Sequence, residues 1–294
     1  MKFGTVAIVG RSNVGKSTLL NRLLHEKIAI VSEKPQTTRT RILGVVHAPG
    51  AQIALMDTPG IHKPEHLLNR RMVRTTVETL EEADLLFVLM DATGLPGPGD
   101  LLVIDHVKTA VKKQARPVIL VLNKIDLVNK MKLLPVIETY AKLYPWTEVV
   151  PVSAQTADNI DRLLDVTVSH LPEGEAAYDD ETITDQSMRT LAAELIREKL
   201  LSQTHEEVPY SIAVEIDQFV EEGKLARISA SIFVERETHK IIVIGKQGDR
   251  LKAVGTEARL EMERIFGMKV FLQLWVKVRE AWREDEQALV QLGY

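Results

Sequence analysis

Cysteine is absent from the 294 residues, which excludes disulfides and thiolate metal sites and fits a reducing compartment. Aromatic residues are scarce, at 5% with three tryptophans, so the core has to be mainly aliphatic. Long apolar runs are missing as well. Residues 85–90 and 117–122 form the longest, and they are strand-length, far below the roughly 18 residues of a spanning helix. No transmembrane segment is expected. The N-terminus has no charged-then-apolar signal pattern, because its first apolar run reads as a strand. Internal repeats and low-complexity tracts are also lacking. What remains is a soluble globular composition, 45% hydrophobic and 27% charged, in a chain long enough for about two domains.

The net charge of −4 argues against indiscriminate nucleic-acid binding, but it is unevenly spread. Residues 1–170 hold 21 Lys/Arg and 17 Asp/Glu, a net of +4, and residues 171–294 hold 16 and 24, a net of −8. The first half alternates apolar strands (near 6–10, 42–47, 52–57, 85–91, 118–123 and 148–153) with amphipathic stretches. That alternation predicts an α/β domain with a doubly wound, mostly parallel sheet and ligands at the strand C-terminal ends. The Ala48-Pro49-Gly50-Ala51 turn predicts that the second and third strands are the one antiparallel pair. An acidic stretch starting at Leu171-Pro172 reads as a linker. The order then becomes helix (186–203), strands near 210–217 and 225–235, a glycine turn, a helix over 249–266 and a strand over 269–278. This is a small α+β domain with a charged, helical tail. The expected boundaries are 1–171, linker 172–186, 187–278 and tail 279–294.

Gly10-Arg11-Ser12-Asn13-Val14-Gly15-Lys16-Ser17 follows the first strand, and Ser17-Thr18-Leu19-Leu20-Asn21-Arg22-Leu23-Leu24 reads as the helix it opens. This G-x-x-x-x-G-K-[ST] pattern in strand–loop–helix context is a phosphate-binding loop. Its backbone N–H groups and the helix N-terminus would surround phosphates, Lys16 would reach the β/γ-phosphates, and the Ser17 hydroxyl would take Mg²⁺. Asp57-Thr58-Pro59-Gly60 ends the third strand, where Asp57 would hold Mg²⁺ through water and the Gly60 N–H would meet a γ-phosphate.

Asn123-Lys124-Ile125-Asp126 ends another strand. A carboxylate such as Asp126 accepts from guanine N1–H and its exocyclic amine together, and adenine has no such pair. Asn123 would brace the loop and the Lys124 stem would cover the base. Ser153-Ala154 ends the next strand, where the Ala154 N–H would donate to guanine O6. Each tetrapeptide is weak alone, and the specificity for GTP over ATP lies in the ordered set.

The set resembles the Ras-like GTPases across residues 1–170. That resemblance places a first switch at Pro35-Gln36-Thr37-Thr38-Arg39, with Thr38, or alternatively Thr37, closing on Mg²⁺. Lys16, Thr38, Gly60 and Asn13 are then the expected catalytic set. The sequence departs from the Ras pattern at Ile61, where a water-orienting glutamine would stand. In similar GTPases an asparagine at the Asn13 position helps hold a potassium ion, so K⁺ is expected as a second cofactor beside Mg²⁺.

Val243-Ile244-Gly245-Lys246-Gln247-Gly248, followed by Asp249-Arg250-Leu251-Lys252, carries the G-x-x-G backbone clamp of KH domains, with Lys246, Arg250 and Lys252 beside a sugar–phosphate chain. Residues 239–260 hold five Lys/Arg against two acids, so the positive charge is local, and phosphate contact needs only that patch. The element order is that of a type II KH domain. This arrangement makes residues 240–244 a short helix, although their β-branched side chains read locally as strand.

Ile196-Arg197-Glu198-Lys199, Glu207-Val208-Pro209-Tyr210-Ser211 and Leu274-Trp275-Val276-Lys277-Val278 extend the likeness over essentially the whole chain, which is similar to the Era family of bacterial GTPases. The resemblance implies a GTP/GDP switch acting in small ribosomal subunit assembly. Its KH domain would bind a single-stranded segment near the 16S rRNA 3′ end. It implies a cytoplasmic protein with some peripheral association at the inner membrane face. Two other function classes stand beside it: a protein-binding signalling switch, and a peripheral membrane adaptor using the stretch 275–282, whose tryptophans read better as strand and core.

Overall fold

The computed structural model describes every residue from Met1 to Tyr294. The chain divides into two compact units, one of Met1–Ala29, Thr38–Pro64 and Asn69–Asp185, the other of Ile30–Thr37, Glu65–Leu68 and Gln186–Tyr294.

In the first unit, β1 (Lys2–Val9), β2 (Ile42–Ala48), β3 (Ala51–Asp57), β4 (Leu85–Asp91), β5 (Val118–Asn123) and β6 (Glu148–Pro151) form one sheet in the order β2-β3-β1-β4-β5-β6. Every neighbouring pair is parallel except β2 with β3, as the turn signal predicts. β4 and β5 are buried along their full length, which is why they read as continuous apolar runs rather than alternating ones. Helices α1 (Lys16–Leu24), α2 (Leu67–Glu82), α3 (Pro98–Lys113), α4 (Lys130–Ala141) and α5 (Ile160–His170) lie between the strands. Two separate cores result, one holding Leu19, Leu20 and Leu163, the other Val103, Val107 and Tyr140.

The stretch expected as a linker is tied to this unit. Glu173 bridges to Lys2 and Thr184 to Gly44, and the Gln52 side chain accepts from the backbone N–H of Ala177 and Tyr178 at 2.9 and 3.0 Å. Low periodicity there reflects irregular backbone with two isolated bridges and a turn, held on the first unit.

In the second unit, α6 (Met188–Gln203) starts at Ser187, whose hydroxyl accepts from the Thr190 N–H at 3.1 Å. It is followed by β7 (Ala213–Glu222), β8 (Leu225–Val234), α7 (Glu237–Ile244), α8 (Asp249–Phe266) and β9 (Lys269–Val278). β7 and β8 pair antiparallel, and β8 and β9 pair parallel. α7 is a helix despite its β-branched residues. Val243 sits in the core and buried His239 meets the Ser211 hydroxyl at 2.9 Å, and this packing overrides local propensity. The tail forms a short 3₁₀ turn (Trp282–Glu284) and helix α9 (Glu286–Gln291). Trp282 is fully buried, as expected for a core residue, but Trp275 is 46% exposed on the open face of β9. Strand alternation put it on the side that no helix covers.

Candidate functional site

The phosphate-loop residues follow directly from β1, an interior strand of the first sheet between β3 and β4. Gly15 has φ 98°, and a Cβ there would lie 2.3 Å from Asn123 Nδ2, so both its backbone angle and its surroundings demand glycine. Gly60 is excluded from carrying a side chain by the Ser12 backbone nitrogen, 2.9 Å from where a Cβ would be. α1 begins at Lys16 with no side-chain cap and no acidic residue in its first turn, which leaves its positive end for an anion. Lys16 is buried, with Nζ 3.3 Å from the Gly10 carbonyl and 3.1 Å from that of Arg11. Burial lowers its pKa to about 8, against the pull of Asp57.

Three oxygens converge at the start of α1. Ser17 Oγ donates to Asp57 Oδ2 at 2.7 Å, lies 2.8 Å from Thr38 Oγ1, and Thr38 Oγ1 is 3.3 Å from the same Oδ2. Asp57 is wholly buried, and burial raises its pKa even though Lys16 and the two hydroxyls oppose this. Its Oδ1 is buried and has no hydrogen-bond partner. Hard oxygen donors with one orphaned carboxylate oxygen fit Mg²⁺, which keeps several water or phosphate ligands. Thr37 is turned elsewhere, its hydroxyl donating to the Lys34 carbonyl at 2.7 Å. Thr58 donates to the Ile8 carbonyl at 2.8 Å, and the Pro59 carbonyl accepts from the Thr76 hydroxyl at 3.1 Å. Ile61 packs into the core, with its N–H donating to the Gly10 carbonyl at 3.2 Å.

The base-side motifs come together around Asn123. Its Nδ2 donates to the Val14 carbonyl at 2.8 Å and its Oδ1 accepts from the Ala154 N–H at 3.0 Å. The Ala154 N–H, expected on the base, is therefore engaged by Asn123. Ser153 is buried and its hydroxyl accepts from the Thr156 N–H at 3.1 Å. Lys124 Nζ donates to the Asn13 carbonyl at 2.8 Å and to Asp91 Oδ2 at 2.7 Å. Asn13 itself is exposed with φ 65°, and Asp126 is exposed in the turn Ile125–Leu127.

Sequence reasoning missed three supports. Asp91 holds Lys124; burial opposes its ionisation, but hydrogen bonds from Lys124 and Thr93 outweigh this and lower its pKa. Asp100 takes Arg11 Nε at 3.2 Å. Arg22 donates to the Ala154 carbonyl at 3.0 Å and the Gln155 carbonyl at 2.7 Å. Only Asp91, at the end of a strand, carried a positional hint.

In the second unit, the G-x-x-G segment joins α7 to α8. Gly245, Gln247 and Gly248 have φ 77°, 54° and 83°. A Cβ on Gly245 would lie 2.8 Å from Arg250 Cβ. Lys246, Gln247 and Lys252 are exposed, whereas Arg250 Nη1 donates to the Ile242 carbonyl and so braces the turn. Ile241, 68% exposed, and Ile242, also exposed, present apolar surface on α7 just before the clamp.

A family model described as "50S ribosome-binding GTPase" matches residues 5–124, and one described as "KH domain" matches residues 207–283. The chain is 48% identical over 295 residues to GTPase Era of Syntrophus aciditrophicus, covering 100% of this chain and 95% of that one. It is 48% identical over 293 residues to GTPase Era of Geobacter metallireducens, covering 99% and 97%. A crystal structure of Era in complex with MgGDPNP and nucleotides 1506–1542 of 16S ribosomal RNA matches with a TM-score of 0.95 at 44% identity, covering 100% of this chain and 99% of that one. With its phosphate loop, Asp57–Gly60 segment and Asn123–Asp126 turn on a mostly parallel sheet, and a KH unit after it, the chain belongs to the Era family of GTPases.

Proposed function

We propose that this protein is a Mg²⁺-dependent, GTP-hydrolysing switch that binds single-stranded rRNA near the 16S 3′ end and acts in assembly of the small ribosomal subunit. The observation that carries the nucleotide half is the convergence of Ser17, Thr38 and Asp57 beside buried Lys16. The reaction is attack of water on the γ-phosphate, giving GDP and phosphate, and catalysis is mostly positioning and charge. Backbone N–H groups from Gly10 to Thr18 and the start of α1 hold the phosphates, and Lys16 supplies positive charge to the β/γ-oxygens. Ser17, Thr38 and Asp57 would hold Mg²⁺, which neutralises charge developing on the phosphate oxygens. Gly60 offers its N–H where a side chain is sterically excluded. Asp126 reads the guanine edge, with Lys124 over the base.

Ile61 cannot orient water, and its side chain is buried in the core. Charge from a potassium ion held in part by Asn13 is the further element of this reading. Turnover should be slow and faster in K⁺ than in Na⁺; equal rates in both salts, with Asn13→Ala unchanged, would remove it.

On the RNA side, Gly245 and Gly248 allow close backbone approach. Lys246, Gln247 and Lys252 face solvent beside them, and exposed Ile241 and Ile242 offer apolar surface to unstacked bases. The Era complex with 16S rRNA nucleotides supports the choice of RNA. Replacing Lys246 and Gln247 by Asp should abolish binding of a 16S 3′-end oligonucleotide and leave GTP hydrolysis intact. Retained RNA binding would refute the clamp. We place the activity in the cytoplasm. No helix is long and apolar enough to cross a membrane. Peripheral attachment at the inner membrane face belongs to the same proposal and is tested by liposome flotation.

A further inference from the structure

Two consecutive residues carry different attachments. Thr38, in the first unit, joins the Ser17–Asp57 cluster. Thr37, the residue before it, is in the second unit, where its carbonyl accepts a hydrogen bond from Arg197 Nη2. Arg197 Nη1 lies 3.5 Å from the Gln36 carbonyl. Arg197 is 1% exposed in the middle of α6, and Glu194, on the preceding turn, accepts its Nε at 2.9 Å. The next α6 residue, Glu198, accepts the Val31 N–H at 2.8 Å, and Ile30 packs into the second core. Both ends of Ile30–Thr37 are therefore held by α6.

A guanidinium suits this place for geometric reasons. Its planar fork addresses successive backbone carbonyls and a carboxylate in fixed directions, whereas an ammonium acts as a point charge and an apolar side chain offers no donor. Stability alone does not call for it, since an apolar residue of similar volume often serves a buried position as well as an ion pair does. What the arginine adds is a defined position for the Gln36 and Thr37 carbonyls. One planar peptide link then passes that position to Thr38.

We propose that Arg197 is a positioning residue for Thr38: by holding the Gln36 and Thr37 carbonyls it places the Thr38 hydroxyl in the Ser17–Asp57 cluster, and so strengthens triphosphate over diphosphate binding. This rests on the reading of Thr38 as a Mg²⁺ ligand. Linkage makes the effect reciprocal, so the nucleotide bound also biases the α6 end of the loop.

The test measures affinities of the full-length protein for GDP and for a non-hydrolysable GTP analogue in Mg²⁺, with Arg197→Gln, Thr38→Ala and the double variant. Arg197→Gln should weaken the analogue about tenfold, a usual size of coupling, and leave GDP unchanged. In the Thr38→Ala background it should cost nothing further. Arg197→Lys, which keeps the charge and N–H donors but not the planar fork, should lose less, and it carries the test if Arg197→Gln does not melt cooperatively. Equal losses for both nucleotides, no loss, or additive losses in the double variant overturn the proposal. If Thr38→Ala alone leaves the analogue preference unchanged, the metal reading of Thr38 fails and takes the proposal with it. If Thr38→Ala removes the preference and Arg197→Gln does not, only the role of Arg197 fails.

Discussion

Asp57 accepts the Ser17 hydroxyl at 2.7 Å with one carboxylate oxygen and leaves the other buried and without a partner. An unsatisfied buried carboxylate oxygen is costly unless a cation completes it. Asp57→Asn should therefore lower Mg²⁺-dependent hydrolysis by at least about 100-fold, on the scale of a lost electrostatic group in a closed site, and should not reduce thermal stability of the nucleotide-free protein. A large drop in melting temperature without nucleotide would mean that the carboxylate is a structural group.

Lys16 has its pKa lowered to about 8 by burial. In the unfolded chain it titrates near 10.4, so between these values the unfolded state binds more protons and stability rises with pH. Phosphates favour the charged form, so nucleotide binding should take up protons above pH 8. Titration calorimetry of GDP at pH 9 in buffers of differing ionisation enthalpy should show uptake approaching one proton. Enthalpies independent of buffer would contradict the lowered value.

Asp126→Ala should cost GTP affinity heavily, by about 10³-fold or more, because a site built around paired donors on the base loses both. ATP affinity should stay as weak as before. Competition between labelled GTP and unlabelled nucleotides reads this out, and an unchanged GTP preference would move base recognition elsewhere.

Ile61 is fully packed in the core of the first unit. Ile61→Ala should destabilise by about 2–5 kcal/mol, the range for such truncations, as measured by denaturant unfolding of the full chain. A change below about 0.5 kcal/mol would show that the side chain leaves the core in solution.

Much of the candidate site is legible in the sequence, because phosphate and guanine recognition need particular residue types at fixed offsets from strand ends. Gly15, Lys16, Ser17, Asp57 and Asn123 stand at those ends. What could not be read were the partners. Arg22 and Asp100 are ordinary surface-type residues in the sequence and Asp91 is marked only by its strand end; the packing of strands and helices brings them to the Ala154, Arg11 and Lys124 groups they hold. The preference for helix over strand in α7 was legible only through the KH arrangement, since its side chains locally favour strand.

The motif set, the alternation that makes a parallel sheet and the glycine turn of the second unit are written in the order of residues, because these depend on local backbone freedom and on side-chain period. Tertiary structure alone decided which threonine hydroxyl meets Ser17, that the Ala154 N–H goes to Asn123, that Trp275 is exposed while Trp282 is buried, and that Ile30–Thr37 is held by α6. Each of these depends on groups far apart in the chain whose hydrogen bonds form only after the strands have paired and the helices have packed.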